Sequence, residues 1–119
     1  MTETIFDTSV LDAAQARRRV ESEQLRQQVL QRTLDFLDVF GSRHGLDEAL
    51  FFGSVIVPQR FGKHSDVDVA VDSIDPALFF DLMASLSLAL GRDVDLVDLS
   101  ECHFAEQIRQ KGVRWTRKR

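Results

Sequence analysis

Leu50-Phe51-Phe52-Gly53-Ser54, followed after eleven residues by Asp66-Val67-Asp68-Val69-Ala70-Val71, is the stretch from which the rest of the chain is read. Residues 49–52 form a short apolar run that stops abruptly at Gly53-Ser54. At that length, before a glycine, a buried strand suits the run better than a helix. Residues 65–72 alternate three valines with Asp66, Asp68, Ala70 and Asp72, the period-two signature of a strand whose two faces differ. The connection between them, 55–65, contains Pro58 and Gly62, and Pro58 interrupts any helix starting at Ser54. Residues 93–99 alternate again, with Val94 and Leu96 facing a core and Asp95 facing the other way.

Outward from these strands the pattern turns helical. From Val10 to Phe40 there is neither Gly nor Pro, and Leu25, Val29, Thr33, Leu37 and Phe40 recur at three-to-four spacing. Ser9 with Asp12 resembles an N-terminal capping arrangement, and Gly41 or Gly45 ends the segment. One helix of about thirty residues would run roughly 45 Å, longer than a small domain is wide. Its polar first half, with Arg17-Arg18-Arg19, therefore projects or folds back after a break near 21–23. Asp75-Pro76 starts a second helix with Leu78, Leu82, Leu86 and Leu90 as its core stripe, closed by Gly91. Ser100 is expected to cap a short helix carrying Phe104 and Ile108, stopped by Gly112 before a basic tail. The expected class is α+β: a small mixed β-sheet packed by helices, with a long N-terminal helical segment. The expected organisation is an arm or docking segment over 1–24, one domain over 25–116 and a basic tail over 117–119.

Composition narrows the functional classes. A chain of 119 residues and 13.6 kDa fits one domain and has no room for a catalytic module plus a large acceptor-gripping domain. Its formal net charge of −4 makes direct nucleic-acid binding an unfavoured expectation. The single cysteine, Cys102, excludes an internal disulfide and suits a reducing compartment. Met1-Thr2-Glu3-Thr4 lacks the positive charge of a secretory leader, and the most apolar stretch, 76–90, is too short to span a bilayer. A cytoplasmic protein with no membrane contact is expected.

Asp66 and Asp68, two apart on one strand, leave the same face. Two adjacent carboxylates repel each other unless a cation sits between them. Mg²⁺ is the natural partner, because it prefers one or two carboxylates plus substrate phosphates. At the strand end, the missing Cβ of Gly53 lets backbone N–H groups approach a phosphate, and Ser54 can donate another hydrogen bond. Asp95 is the best third carboxylate, ahead of Asp93 on the same face, while Asp98 falls on the other. Neither His44, His64 nor His103 has a metal-ligand partner at short spacing, and Cys102 reads as a small apolar residue.

These motifs resemble the Gly-Ser…Asp-x-Asp signature of the DNA polymerase β nucleotidyltransferase superfamily, and the short chain resembles its minimal nucleotidyltransferase (MNT) branch. Val94-Asp95-Leu96-Val97-Asp98-Leu99 is similar to the segment bearing the family's third aspartate, and the ending 108–115 to its closing helix and strand. The resemblance covers roughly residues 25–116. It implies a palm-like core and two Mg²⁺ ions, with Asp66 and Asp68 each contacting both and Asp95 the ion at the attacking hydroxyl. It places Gly53 and Ser54 at the outer phosphates of ATP, with Arg60 and Ser65 also at the nucleotide. The spacer is one residue longer than the commonest in the family, and the resemblance implies that Arg60, displaced by the insertion, replaces the arginine of an Arg-Gly segment in relatives. The implied activity is transfer of AMP from ATP to a hydroxyl of an all-helical HEPN toxin, the chain being the antitoxin. Two alternatives are an antitoxin that acts by occlusion with a degenerate site, and a small-molecule nucleotidyltransferase.

Overall fold

Absence of Gly and Pro from the first third of the chain yields one unbroken helix, α1 (Ser9–Phe40), of 32 residues and about 48 Å. The computed structural model describes residues 8–72 and 74–118; the first seven residues of the expected arm and Arg119 of the expected tail lie outside the described residues. Of the two options for the polar half of α1, projection is the outcome, and there is no break near 21–23. Between 9 and 21 every residue but Ala14 is exposed, whereas Val29, Thr33 and Leu37 are buried at a spacing of four. The expected Ser9 cap is corrected by one residue: Thr8 precedes the helix, and its hydroxyl bonds Asp12 Oδ2 at 3.1 Å.

A short 3₁₀ turn, Gly41–His44, ends α1 at Gly45, whose φ of 73° is the left-handed stop. His44 is buried there, with Nδ1 3.0 Å from the Phe40 carbonyl and Nε2 2.8 Å from Asp81 Oδ2. Four strands follow among the described residues: β1 (Glu48–Phe52), β2 (Val67–Val71), β3 (Val94–Asp98) and β4 (Val113–Thr116). Their order is β3-β2-β1-β4, with β1 antiparallel to β2 and β4, and β2 parallel to β3. The parallel pair is joined by α2 (Pro76–Leu90), where Asp75 accepts a bond from the Ala77 N–H at 2.8 Å and Pro76 occupies the first turn. The α+β class with a mixed sheet and a long N-terminal helix holds.

Alternation divides the sheet's side chains between two unequal layers. Ala49, Phe51, Val67, Val69, Val71, Val94 and Leu96 face α1 and α2, meeting Leu37, Leu82 and Leu86 in the main core. Leu50 and Ala70 face the other way, under Leu99 and under Ile108 of α3 (Ala105–Lys111). That second cover starts differently from expectation: Asp98, not Ser100, caps, accepting from the Ser100 N–H at 2.9 Å to open the 3₁₀ turn Leu99–Glu101. A strand-end aspartate takes the local turn before the helix can begin. Because α3 is only seven residues long, the second face stays uncovered at one end.

Strand β4 closes the far edge. Trp115 lies opposite Ala49, packs on Gly41, where a Cβ would come within 2.6 Å of the indole, and donates its N–H to Asp38 Oδ1 at 2.8 Å. The basic tail is partly tied down, with Arg117 on Asp47 at 2.5 Å and Lys118 on Asp38 at 3.4 Å. Exposed pairs of this kind contribute little, so Trp115 is the anchor. Trp115→Phe, which keeps a ring but loses the indole N–H and part of the volume, is expected to cost about 1–2 kcal/mol in urea unfolding. Unchanged stability would mean that β4 does not hold the sheet edge.

Candidate active site

With β1 antiparallel to β2 and β2 parallel to β3, the end of β1 and the starts of β2 and β3 meet at one end of the sheet. There Phe52 pairs with Asp68, and Asp68 pairs with Asp95. Adjacent strands run about 4.8 Å apart, so Asp68 and Asp95 stand side by side on the face that α3 leaves open. Asp95 is exposed and Asp68 partly buried. Asp66 sits just outside the strand: the expected span 65–72 shortens to Val67–Val71. The cause is a turn at 62–65, in which the Ser65 N–H bonds the Gly62 carbonyl at 3.2 Å and the Gly62 N–H bonds Ser65 Oγ at 2.9 Å.

The three carboxylates interact. Asp68 is pushed up from 3.8 to about 6, chiefly by burial, then by the charge of Asp95 and the charge of Asp66. Against this acid cluster lies Gly53, with φ of 73°; a Cβ there would sit 2.2 Å from Asp68 Oδ2. The space above the Gly53 Cα is thus filled by the Asp68 carboxylate, and the glycine is needed for that approach. Ser54 is half-buried in the 3₁₀ turn Gly53–Ile56, and no longer helix follows it, as Pro58 requires.

Whether this donor set suits a hard divalent cation is a question of chemistry. Asp68, held up by burial and by the charges of Asp95 and Asp66, forms with them an oxygen-only set on an open face, of the kind Mg²⁺ takes. They are not a closed cage: among the described residues no three His, Cys, Asp or Glu side chains are gathered to hold an ion by themselves. Mg²⁺ does not need one, since it usually keeps waters and adds substrate phosphates to one or two carboxylates.

The other expected nucleotide residues fare differently. Ser65 lies beside Asp66 in a cleft of about 320 Å³ that also presents Lys63, His64, Arg92 and Asp93. Arg60 is exposed in a turn, its N–H on the Val57 carbonyl at 3.2 Å, and no described contact brings it to the carboxylates. A larger cleft of about 510 Å³ lies beyond the outer edge of β3, walled by Phe79, Phe80, Cys102 and Phe104; Asp66, Asp68 and Asp95 do not line it.

Sequence reasoning missed the residues that hold the loop between the Gly-Ser and Asp-x-Asp motifs. From α1, Arg26 pairs with Glu23 and donates to the Val55 carbonyl at 3.2 Å, while Glu23 accepts the Gln59 N–H at 3.0 Å. These bonds, above all the one from Arg26, pull Glu23 down to about 2. Phe61 is fully buried, and Arg92 reaches the loop from the α2–β3 turn. None of these carries a periodic signal; each is one polar or aromatic residue far in sequence from what it holds. No protein-family model, curated protein or solved structure matches the chain.

Proposed function

We propose that the chain is a Mg²⁺-dependent nucleotidyltransferase of the MNT type, an antitoxin that transfers AMP from ATP to a hydroxyl side chain of a HEPN-type helical toxin. The observation that carries this reading is the pairing of Asp68 with Asp95, with the charge of Asp66 also acting on Asp68 and Gly53 lying under the Asp68 carboxylate. Asp66 and Asp68 are the residues that would hold the ions, and Asp95 lies on the exposed side, where an acceptor can reach it. Bound divalent ions would neutralise the triphosphate and lower the acceptor's pKa. Asp95 then orients the acceptor hydroxyl and takes its proton as that oxygen bonds the α-phosphorus. The bond to the bridging oxygen breaks, and pyrophosphate leaves.

The acceptor is assigned to another protein for two reasons. The chain contains no tyrosine, and the second face of its sheet is open at the carboxylates. The projecting half of α1 exposes Val10, Leu11 and Val20 beside Arg17-Arg18-Arg19, a surface on which a protein partner can dock. A cytoplasmic setting agrees with the free Cys102 and the use of ATP. Among the described residues no helix is long and apolar enough to cross a membrane.

A second reading, binding and occlusion without catalysis, is favoured by one observation. Gly53-Ser54 opens a single 3₁₀ turn, so the phosphate grip of a helix N-terminus is absent. Incubation with labelled ATP, Mg²⁺ and a HEPN-type helical protein as candidate acceptor separates the two. Transfer of label by the wild type and its loss in Asp66→Asn/Asp68→Asn is the expected result. No transfer by the wild type, with neutralisation intact in Asp95→Asn, would favour occlusion.

A further inference from the structure

We infer that Arg92 is the positioning residue that fixes the 62–65 turn and, through it, the placement of Asp66; the inference rests on the nucleotidyltransferase reading of the site. Beyond the 3₁₀ turn, residues 57–66 run to β2 without regular structure. Asp66 is the one member of the carboxylate set that no strand holds. Something else must set its position, because Asp68 and Asp95 are placed by register and Asp66 is not.

Arg92 meets that need from an independent element. It follows Gly91, the left-handed stop of α2, and its own backbone is fixed: Ser87 Oγ donates to the Arg92 carbonyl at 2.8 Å, and the Arg92 N–H bonds the Ser87 carbonyl at 3.3 Å. From this base the guanidinium lies over the Phe61 ring, 4.7 Å from its centroid. Its Nη1 donates to the Ser65 carbonyl at 2.8 Å and to the Gly62 carbonyl at 3.3 Å. Three contacts thus fall within residues 61–65, on a buried ring and on both ends of the turn.

The link to the site is covalent geometry. The Ser65 carbonyl that Arg92 holds belongs to the same planar peptide unit as the Asp66 N–H, so its orientation constrains where the Asp66 Cα begins. Arg92 also faces the Asp66 charge, and burial makes its guanidinium give up a proton more readily than usual while Asp66 opposes that change. Lysine cannot replace this: a single ammonium does not stack on a ring while bridging two carbonyls in its plane.

The full-length chain carries the test, as Arg92→Ala and Arg92→Lys. Mn²⁺ affinity in the presence of ATP is read by electron paramagnetic resonance, and amide hydrogen exchange is read at Ser65 and Asp66 and at Val69 in the core. Arg92→Ala is expected to weaken Mn²⁺ binding about 10- to 100-fold, the range for an outer-shell partner. It should speed exchange at Ser65 and Asp66 while leaving Val69 protected. Added guanidinium at millimolar concentration, but not sodium, should restore the affinity, and Arg92→Lys should recover less than half of the loss. Wild-type Mn²⁺ affinity in Arg92→Ala overturns the inference, as does a loss accompanied by equal deprotection of Val69 and no guanidinium rescue. If the wild type itself binds no Mn²⁺, the nucleotidyltransferase reading falls, and exchange at Ser65 and Asp66 alone decides the role of Arg92.

Discussion

Asp68→Asn is expected to abolish nucleotidyl transfer, by on the order of a thousandfold, and at the same time to raise folding stability above pH 6. Both effects come from one cause. In the fold Asp68 is half-buried beside Asp95 and Asp66, so its proton is held up to about 6 rather than 3.8. A carboxylate whose folded pKa is raised binds its proton more tightly in the native state than in the unfolded chain. Its contribution to stability is therefore fully present below about 3.8 and is lost as the pH rises through about 6. Above that the site carries repelling charge that asparagine removes. At 1.36 kcal/mol per pH unit the full displacement corresponds to about 3 kcal/mol, which solvent screening at a half-exposed group reduces to about 1–2 kcal/mol. In EDTA, the melting temperature of Asp68→Asn should match the wild type near pH 4 and exceed it at pH 8. Mg²⁺ should narrow the difference by stabilising the wild type. An Asp68→Asn variant less stable than the wild type at pH 8 in EDTA would show that the three carboxylates are not in conflict. A group whose removal stabilises the fold and ends activity is placed for function rather than for folding.

Gly53→Ala is the second large effect. Its new Cβ would lie 2.2 Å from Asp68 Oδ2 and 3.1 Å from Cγ, at a backbone φ of 73° that alanine adopts poorly. The strain and the clash together are expected to cost about 2–3 kcal/mol and to swing the Asp68 carboxylate away from Asp95. Transfer should fall with it, even though glycine contributes no side chain to the chemistry. The steric part can be isolated, because Asp68→Ala removes Oδ2 and Cγ and leaves only Cβ, at an ordinary 3.5 Å. In the Asp68→Ala background Gly53→Ala should cost about 1 kcal/mol, the backbone part alone. Equal costs in the two backgrounds would mean that Asp68 does not press on Gly53.

The elements that alternation and helical spacing describe were legible in the sequence. The valines at 67, 69 and 71, all fully buried, and the leucines at 82, 86 and 90 marked β2 and α2 because each buries one face against a single core. In the candidate site the strand face shared by Asp68 and Asp95 was legible, but the start of β2 at Val67, which leaves Asp66 outside the strand, was not. What periodicity cannot give is register, and it is register that sets Asp68 against Asp95 instead of Asp93. Local capping was misread at two places: α1 begins one residue earlier than a Ser9 cap allows, with Thr8 bonding Asp12 rather than a backbone N–H, and at Ser100 the adjacent Asp98 carboxylate takes the N–H instead. That Gly53 also leaves room for the Asp68 carboxylate is a matter of packing that its sequence position does not show. The clamps on the 55–66 connection were invisible, since Glu23, Arg26 and Arg92 are polar residues like many others until the chain folds.

The most direct test of the proposed transfer is intact-mass spectrometry of a HEPN-type helical protein after incubation with this chain, ATP and Mg²⁺. Mass gains in whole steps of one adenylyl group are expected on that protein, present with the wild type and absent with Asp95→Asn. An unmodified partner with the wild type, or equal modification with Asp95→Asn, would contradict it.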